Sequence, residues 1–220
     1  CTTGQNKFDS QMMLRPVRYE DIHLNPEDIQ VYDAPLTPVK ELSHLYIGQA
    51  QMASCSAWWD PAFGTDKGDG SALAIVFTDT KGHIWLHHLS YIKVAPGSPH
   101  DPATDQCMQV ARILKDLYVP VIGVETNGIG RFLPALLRRE IVRVRAGTAV
   151  VEQSNRAPKS ARIQQAFGSV LAARMLHAHI DVMTPRFMDE MRDFSPLRNS
   201  GRDDGLDAAA GALLMEPVRL

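Results

Sequence analysis

The sequence predicts an α/β fold with a mixed sheet, in which the first three strands are antiparallel and helices cover both faces. Three β-prone runs come first, at 53–60, 71–77 and 83–94, and a turn signal at 79–82 separates the last two. Strands joined by a tight turn must be antiparallel. From residue 110 onward, apolar residues at helical spacing alternate with short buried runs. This order predicts a sheet packed between layers of helix.

Each predicted element has a local reason. The first strand ends at Asp60 because Pro61 cannot donate to a ladder and restricts the residue before it. A loop rich in Gly and Asp at 63–70 leads into the second strand. The later elements are a helix over 110–117, a buried strand at 121–124, a helix at 131–141, a strand at 142–151, an amphipathic helix around 163–171 and a last helix beginning near Asp204.

Two regions are expected along the chain. Residues 1–52 are polar and interrupted by four prolines, so we interpret them as a linker or extension, with a short helix over 40–53. Residues 53–220 form the folded domain. The chain begins with Cys rather than Met, and we therefore expect it to be a piece of a longer protein.

Composition excludes several classes of protein. The 220 residues are 45% hydrophobic and 22% charged, which is enough for one well-filled core and excludes wholesale disorder. No apolar stretch approaches the ~20 residues that span a bilayer, so no membrane partner is expected. The three cysteines lie far apart and support neither a disulfide framework nor a cysteine zinc site.

Charge is unevenly distributed. Residues 131–162 hold eight basic and two acidic residues, although the whole chain has a net charge of -2. Such a basic strip suits a polyanion that contacts one face, and an ordinary solvated helix face is the alternative. Within it Arg156, Lys159 and Arg162 surround a helix start at Pro158, which predicts a phosphate-facing site or else a charged surface turn.

Acidic residues stand at the ends of three predicted elements. Asp60 ends the first strand, Glu125 ends the strand 121–124, and Asp204 and Asp207 begin the last helix. If these two strands are parallel neighbours, their carboxyl ends place Asp60 and Glu125 at one edge of the sheet. Converging carboxylates need a counter-charge, and Mg²⁺ or Mn²⁺ prefers oxygen ligands. Two ions together can promote phosphodiester hydrolysis, which is nuclease chemistry.

Simpler roles exist for the same acids. Asp203 or Asp204 could cap the last helix, and Asp60 before a proline could only initiate a turn. Asp66 and Asp69 could be solvated turn residues in the Gly-rich loop. The eight histidines form no metal motif, and no nucleotide-binding phosphate loop is present in the sequence.

The acidic and basic segments together resemble the nuclease domain of the large terminase subunit of tailed bacteriophages. The resemblance covers about residues 53–215 and depends on five motifs in order: DPAFG at 60–64, GDGSA at 68–72, VETNG at 124–128, KSARI at 159–163 and DDGLDA at 203–208. The segment FDSQ at 8–11 is similar to the end of a preceding ATPase domain.

This resemblance implies an RNase H-like fold and a metal-dependent endonuclease that cuts concatemeric double-stranded viral DNA during genome packaging. It implies metal ligation by Asp60, Glu125 and either Asp204 or Asp207, with a slight preference for Asp204, and Asp69 as an assisting acid. The implied partners are the ATPase domain, the small terminase subunit and the portal, at the procapsid in the host cytoplasm. The alternatives are a resolvase or integrase of the same fold, or a non-catalytic module that docks to DNA or the portal.

Overall fold

The structure is a computed structural model and describes residues 24–41, 43–62, 71–94, 97–126, 132–154, 157–196 and 203–220. The strands are β1 Gln30–Tyr32, β2 Leu36–Val39, β3 His44–Ile47, β4 Ala50–Asp60, β5 Ser71–Asp79, β6 Ile84–Ile92, β7 Val121–Glu125, β8 Ala149–Gln153, β9 Leu176–His179 and β10 Val218–Arg219. The helices are α1 Pro102–Asp116, α2 Leu133–Val144, α3 Lys159–Ala172, α4 Pro185–Asp193 and α5 Asp204–Leu214, and a short 3₁₀ turn covers Pro26–Asp28.

A mixed sheet organises the molecule. Strands β4, β5 and β6 form an antiparallel meander, in which Asp60 pairs with Ala72. Strand β7 then adds to β4 in parallel, with Trp58 beside Gly123, and β8 adds to β7, also in parallel. The predicted antiparallel start and the predicted parallel neighbours are therefore confirmed. This order, with helices in between, is the RNase H-like arrangement expected from the sequence.

Helices pack on both faces of the sheet, as predicted. Adjacent residues Trp58 and Trp59 point to opposite faces, and each side chain is almost fully buried. The face of Trp58 packs against α3, α4 and α5, while the face of Trp59 packs against α1 and α2. Among the described residues, no helix has the length and apolar character needed to span a bilayer.

The strands before Ala50 correct part of the sequence prediction. The short helix expected over 40–53 is wrong, because β3 and β4 run antiparallel there with Leu45 beside Met52. Buried and partly exposed residues alternate along β3, which is the pattern of a strand rather than a helix. Pro38 is accommodated because β2 ends the order of paired strands. Strands β1–β3 belong to the same sheet as β4, and the domain division at residue 52 stays a prediction.

The region after the second helix also differs from the prediction. Helix α2 continues to Val144, so the strand expected over 142–151 is wrong in its first half. Arg145 ends the helix in the left-handed conformation, with a φ of 57°, and its N–H bonds back to Ile141 and Val142. Strand β8 then covers Ala149–Gln153. The apolar residues at 141–144 belong to the helix that covers the sheet.

Trp58 brings three elements into close contact. A Cβ on Gly123 of β7 would lie 2.5 Å from the Trp58 ring, and a Cβ on Gly211 of α5 would overlap the same ring. Both glycines therefore let backbone pack directly on the indole. Trp58 is two residues before Asp60, and Gly123 is two residues before Glu125. The ring thus sets how closely α5 approaches the sheet just below the strand ends, whereas the backbone ladder sets the spacing of β4 and β7.

Candidate metal centre

Two acids from neighbouring strands lie at one edge of the sheet. Asp60 is the last residue of β4, and Glu125 is the last residue of β7. The two strands are parallel, and the register that joins Trp59 to Val124 carries both acids to the same end. Open α/β sheets keep their binding sites at the carboxyl ends of their strands.

A third acid reaches this edge from a helix. Helix α5 begins at Asp204 and packs against β4 and β5, which places Asp207 in its first turn, only 3% exposed. One carboxylate oxygen each from Asp60, Glu125 and Asp207 lie within 4.8 Å of one another. Among the described residues, this is the group of acids, histidines and cysteines whose geometry could hold a metal ion.

The surroundings of this cluster disfavour the ionised form of its carboxyl groups. Burial, followed by the negative charges of Asp207 and Glu125, raises the pKa of Asp60 from 3.8 to about 7. Burial likewise raises the pKa of Asp207, although Lys159 and Arg162 oppose that rise. An added cation would remove the penalty by favouring the ionised carboxylates. Carboxylate oxygens are also the donors that Mg²⁺ and Mn²⁺ prefer, so these residues fit such an ion.

Two cations from α3 contact the cluster. Arg162 donates from Nη2 to Asp207 Oδ1 at 2.5 Å and from Nη1 to Glu125 Oε2 at 3.4 Å. Lys159 Nζ lies 2.7 Å from Asp203 Oδ1 and 3.6 Å from Asp207 Oδ2. Both residues were predicted to contact DNA, and the structure places them against the acids instead of on an open surface. Their contact with DNA stays a prediction.

Asp204 lies apart from the three converging acids. Its Oδ2 accepts a hydrogen bond from Arg186 Nη2 at 2.8 Å, and the residue is only 4% exposed. The carboxylates of Asp60, Glu125 and Asp207 come together without it. Between the two aspartates considered for the third position, the geometry therefore favours Asp207 as the direct ligand.

The start of α5 is held by residues that sequence patterns do not reveal. Glu190 of α4 accepts hydrogen bonds from Tyr91 Oη at 2.8 Å, from Arg186 Nε at 3.2 Å and from the Leu206 backbone N–H at 2.9 Å. The Arg186 guanidinium also lies 3.6 Å from the centre of the Tyr91 ring. This network fixes the helix that carries Asp207. The one sequence signal was the four-residue spacing of Arg186 and Glu190, which is common on helices.

The chain beyond β4 has its own anchor. Gln106 of α1 is 3% exposed, and its Nε2 donates to the Ala62 carbonyl at 3.1 Å. Ala62 is two residues past Asp60, so the bond restrains the backbone that leaves the site. Sequence analysis did not identify Gln106, because nothing in its helix distinguishes it from other polar residues.

Three further residues from the sequence analysis are Asp69, Arg156 and Asp203. Asp69 and Arg156 lie outside the described residues. Asp203 is the N-cap residue of α5, but its side chain makes no capping hydrogen bond and contacts Lys159 instead. Asp203 therefore occupies the N-cap position, as the alternative predicted, but its carboxylate does not cap the helix.

Fold and site together define an α/β protein of RNase H-like topology, with a cluster of three carboxylates where the ends of two parallel strands meet the first turn of a helix. No protein-family model matches the chain, and no curated protein matches it. The chain is similar in structure to several solved proteins at low sequence identity.

Two of these similar structures are large terminase nucleases of bacterial viruses. One is the nuclease domain of the large terminase subunit gp2 of bacterial virus Sf6, with 12% identity, coverage of 74% of this chain and 89% of that chain, and a TM-score of 0.46. Another is the large terminase nuclease from thermophilic phage G20c with bound cobalt, with 12% identity, coverage of 85% and 93%, and a TM-score of 0.49.

A third similar structure is T. thermophilus RuvC in complex with a Holliday junction substrate. It has 18% identity, coverage of 76% of this chain and 99% of that chain, and a TM-score of 0.37. All three similarities are distant. We therefore infer function from the residues of this chain.

Proposed function

We propose that this protein is a metal-dependent endonuclease that hydrolyses phosphodiester bonds in double-stranded DNA. The observation that supports the proposal is the convergence of Asp60, Glu125 and Asp207 within 4.8 Å at the ends of β4 and β7. Carboxylates this close repel one another, and Lys159 and Arg162 offset only part of that repulsion, since the pKa of Asp60 stays raised to about 7. Divalent ions held by acids are a common means of cleaving phosphodiesters.

The residues of the chain would have separate roles in this reaction. Asp60, Glu125 and Asp207 would hold Mg²⁺ or Mn²⁺, and two ions are expected from the chemistry. Bound there, the metal supplies Lewis acidity that activates water and stabilises the leaving oxygen. Glu190 and Arg186 would keep α5 in place, so that Asp207 meets the two strand-end acids without rearrangement.

The DNA would lie against the basic segment of residues 131–162. Three arginines of α2 within this segment are exposed, as is the residue that ends the helix: Arg138, Arg139, Arg143 and Arg145. Their contacts would be to phosphates and would carry little sequence information. We therefore expect binding that weakens steeply as salt is raised and cleavage with little sequence preference.

The biological setting belongs to the same proposal. We propose cleavage of concatemeric viral DNA during genome packaging, in the host cytoplasm at the procapsid. An ATPase domain, the small terminase subunit and the portal would be the partners there. The order of the five sequence motifs supports this setting.

Plasmid cleavage tests the enzymatic part of the proposal. Wild type and Asp60→Ala are incubated with supercoiled plasmid in Mn²⁺, in Mg²⁺ and in EDTA. Nicking or linearisation that needs the metal and disappears in Asp60→Ala is the expected result. Asp116→Asn is the control, because it removes a carboxylate on an exposed part of α1. Cleavage by Asp60→Ala at the wild-type rate would contradict the proposed site.

A panel of DNA forms separates the alternatives. Preference for linear or circular duplex supports a packaging nuclease, whereas preference for four-way junctions indicates a resolvase. DNA binding that survives Asp60→Ala, with no cleavage by either protein, indicates a docking module. The same binding measurement at increasing salt tests whether phosphate contacts dominate.

A further inference from the structure

The acids of the metal centre already have cationic partners within the chain. Arg162 contacts Asp207 at 2.5 Å and Glu125 at 3.4 Å, and Lys159 contacts Asp207 at 3.6 Å. Both cations come from the first turn of α3, which packs directly against α5. They therefore approach the cluster from the helix side, facing the acids at the ends of β4 and β7.

Burial distinguishes this arginine from those on the surface. The Arg162 side chain is 10% exposed, whereas Arg138, which pairs with Glu152, is 48% exposed. Among the described residues, Arg162 Nε is a buried donor without a hydrogen-bond partner. Unpaired buried donors are uncommon in folded proteins. The guanidinium of Arg162 is instead oriented by its two Nη contacts with the acids of the metal centre.

We propose that Lys159 and Arg162 are resident counter-ions of the metal centre, which compete with the divalent cation for the same carboxylates and weaken its binding. The inference rests on the proposed function, because it concerns the ion that the nuclease would use. A fixed positive charge beside a divalent ion repels it, and the repulsion is screened little at a buried site. The carboxylate that Arg162 holds most closely, on Asp207, is also less free to bind metal.

The opposite effect is pre-organisation, in which the cations hold the acids in place for the ion. The backbone already positions the three acids, since Asp60 and Glu125 end paired strands and Asp207 lies in a helix. Removal of either cation should therefore free carboxylate oxygens to bind the metal ion, and should displace the acids little. Removing one positive charge should therefore tighten binding of the ion.

Calorimetric titration of Mn²⁺ into the DNA-free protein tests this inference. Arg162→Gln should bind Mn²⁺ about tenfold more tightly than wild type or better. Lys159→Gln should change the affinity in the same direction, and its 32% exposed side chain makes it the variant with less risk to folding. Arg192→Gln is the matched control, because it removes an equal charge from an exposed pair with Asp189 and should leave the Mn²⁺ affinity unchanged.

The outcomes separate the two proposals. If wild type binds Mn²⁺ and both variants bind it equally or less tightly, the cations position the acids and the counter-ion inference is wrong. If neither wild type nor the variants bind Mn²⁺, as judged by calorimetry and by equilibrium dialysis, the metal centre itself is wrong. Circular dichroism of each variant establishes that the compared proteins are folded.

Discussion

Replacing Asp60 by Asn should change how the stability of the metal-free protein depends on pH. In the folded chain the pKa of Asp60 rises to about 7, from an ordinary value of 3.8, because the carboxyl is buried beside Asp207 and Glu125. Between pH 4 and 7 the folded state therefore holds a proton that the unfolded state has lost. Unfolding then releases a proton, so the contribution of Asp60 to stability decreases as pH rises through this window.

The size of this effect follows from the two pKa values. A difference between 3.8 and about 7 corresponds to about 4 kcal/mol as an upper limit, and partial solvent access reduces it. Asn carries no charge at any pH in this range, so the variant lacks the pH-dependent part of the free energy of unfolding that Asp60 contributes. The free energy of unfolding of Asp60→Asn, relative to wild type, should therefore increase by a few kcal/mol between pH 4 and pH 8.

The free energy of unfolding of wild type, measured alone against pH, would not reveal the Asp60 contribution. Two histidines change that free energy in the opposite direction. Burial lowers the pKa of His87 and of His88 to about 4 from 6.5. As pH falls from 6.5 to 4 the unfolded state takes up protons before the folded state, which destabilises the fold. Each histidine contributes at most about 3 kcal/mol before solvent screening is considered, a contribution comparable to that of Asp60 and opposite in sign. The difference between variant and wild type cancels this common contribution.

Urea unfolding followed by circular dichroism, in EDTA at several pH values from 4 to 8, provides the measurement. A difference between Asp60→Asn and wild type that stays constant across this range would refute the reasoning. In a second series, 10 mM Mg²⁺ should stabilise wild type more than the variant, because binding to the folded state adds to stability by mass action.

Two further predictions concern packing and ligand identity. Gly211→Ala should lower the free energy of unfolding by about 1–3 kcal/mol, because its Cβ would overlap the Trp58 ring; urea unfolding measures this. Gly168→Ala, in α3 with nothing within 4 Å, is the control and should be neutral or stabilise by about 0.5–1 kcal/mol. Asp207→Asn should weaken Mn²⁺ binding in calorimetry by about tenfold or more, and Asp204→Asn by less. Equal stability of both glycine variants, or a larger loss from Asp204→Asn, would contradict these predictions.

The central part of the fold followed from local chemistry. Proline after Asp60 marked the end of β4, and the apolar run before Glu125 marked a buried strand. On the hypothesis that these two strands are parallel neighbours, which the structure bears out, their ends meet at one edge. The convergence of these two acids could therefore be predicted without any knowledge of side-chain positions.

Other features depend on contacts between distant segments. The sequence shows that Lys159 and Arg162 share a face of α3, but only the packing of α3 on α5 turns that face toward Asp207. Likewise Asp204 and Asp207 are three residues apart in the first turn of α5, and the salt bridge of Asp204 with Arg186 distinguishes its surroundings from those of Asp207. Strands β1–β3 were missed because short runs broken by proline resemble a linker until their partners are known.

The indole of Trp58 links the hydrophobic core to the geometry of the acidic cluster. Its ring contacts the backbones of β7 and α5, which carry Glu125 and Asp207, and Trp58 itself lies two residues before Asp60. A smaller side chain at position 58 would remove the ring against which both backbones pack. The relative positions of the three carboxylates therefore depend on packing in the core as well as on the elements that carry them.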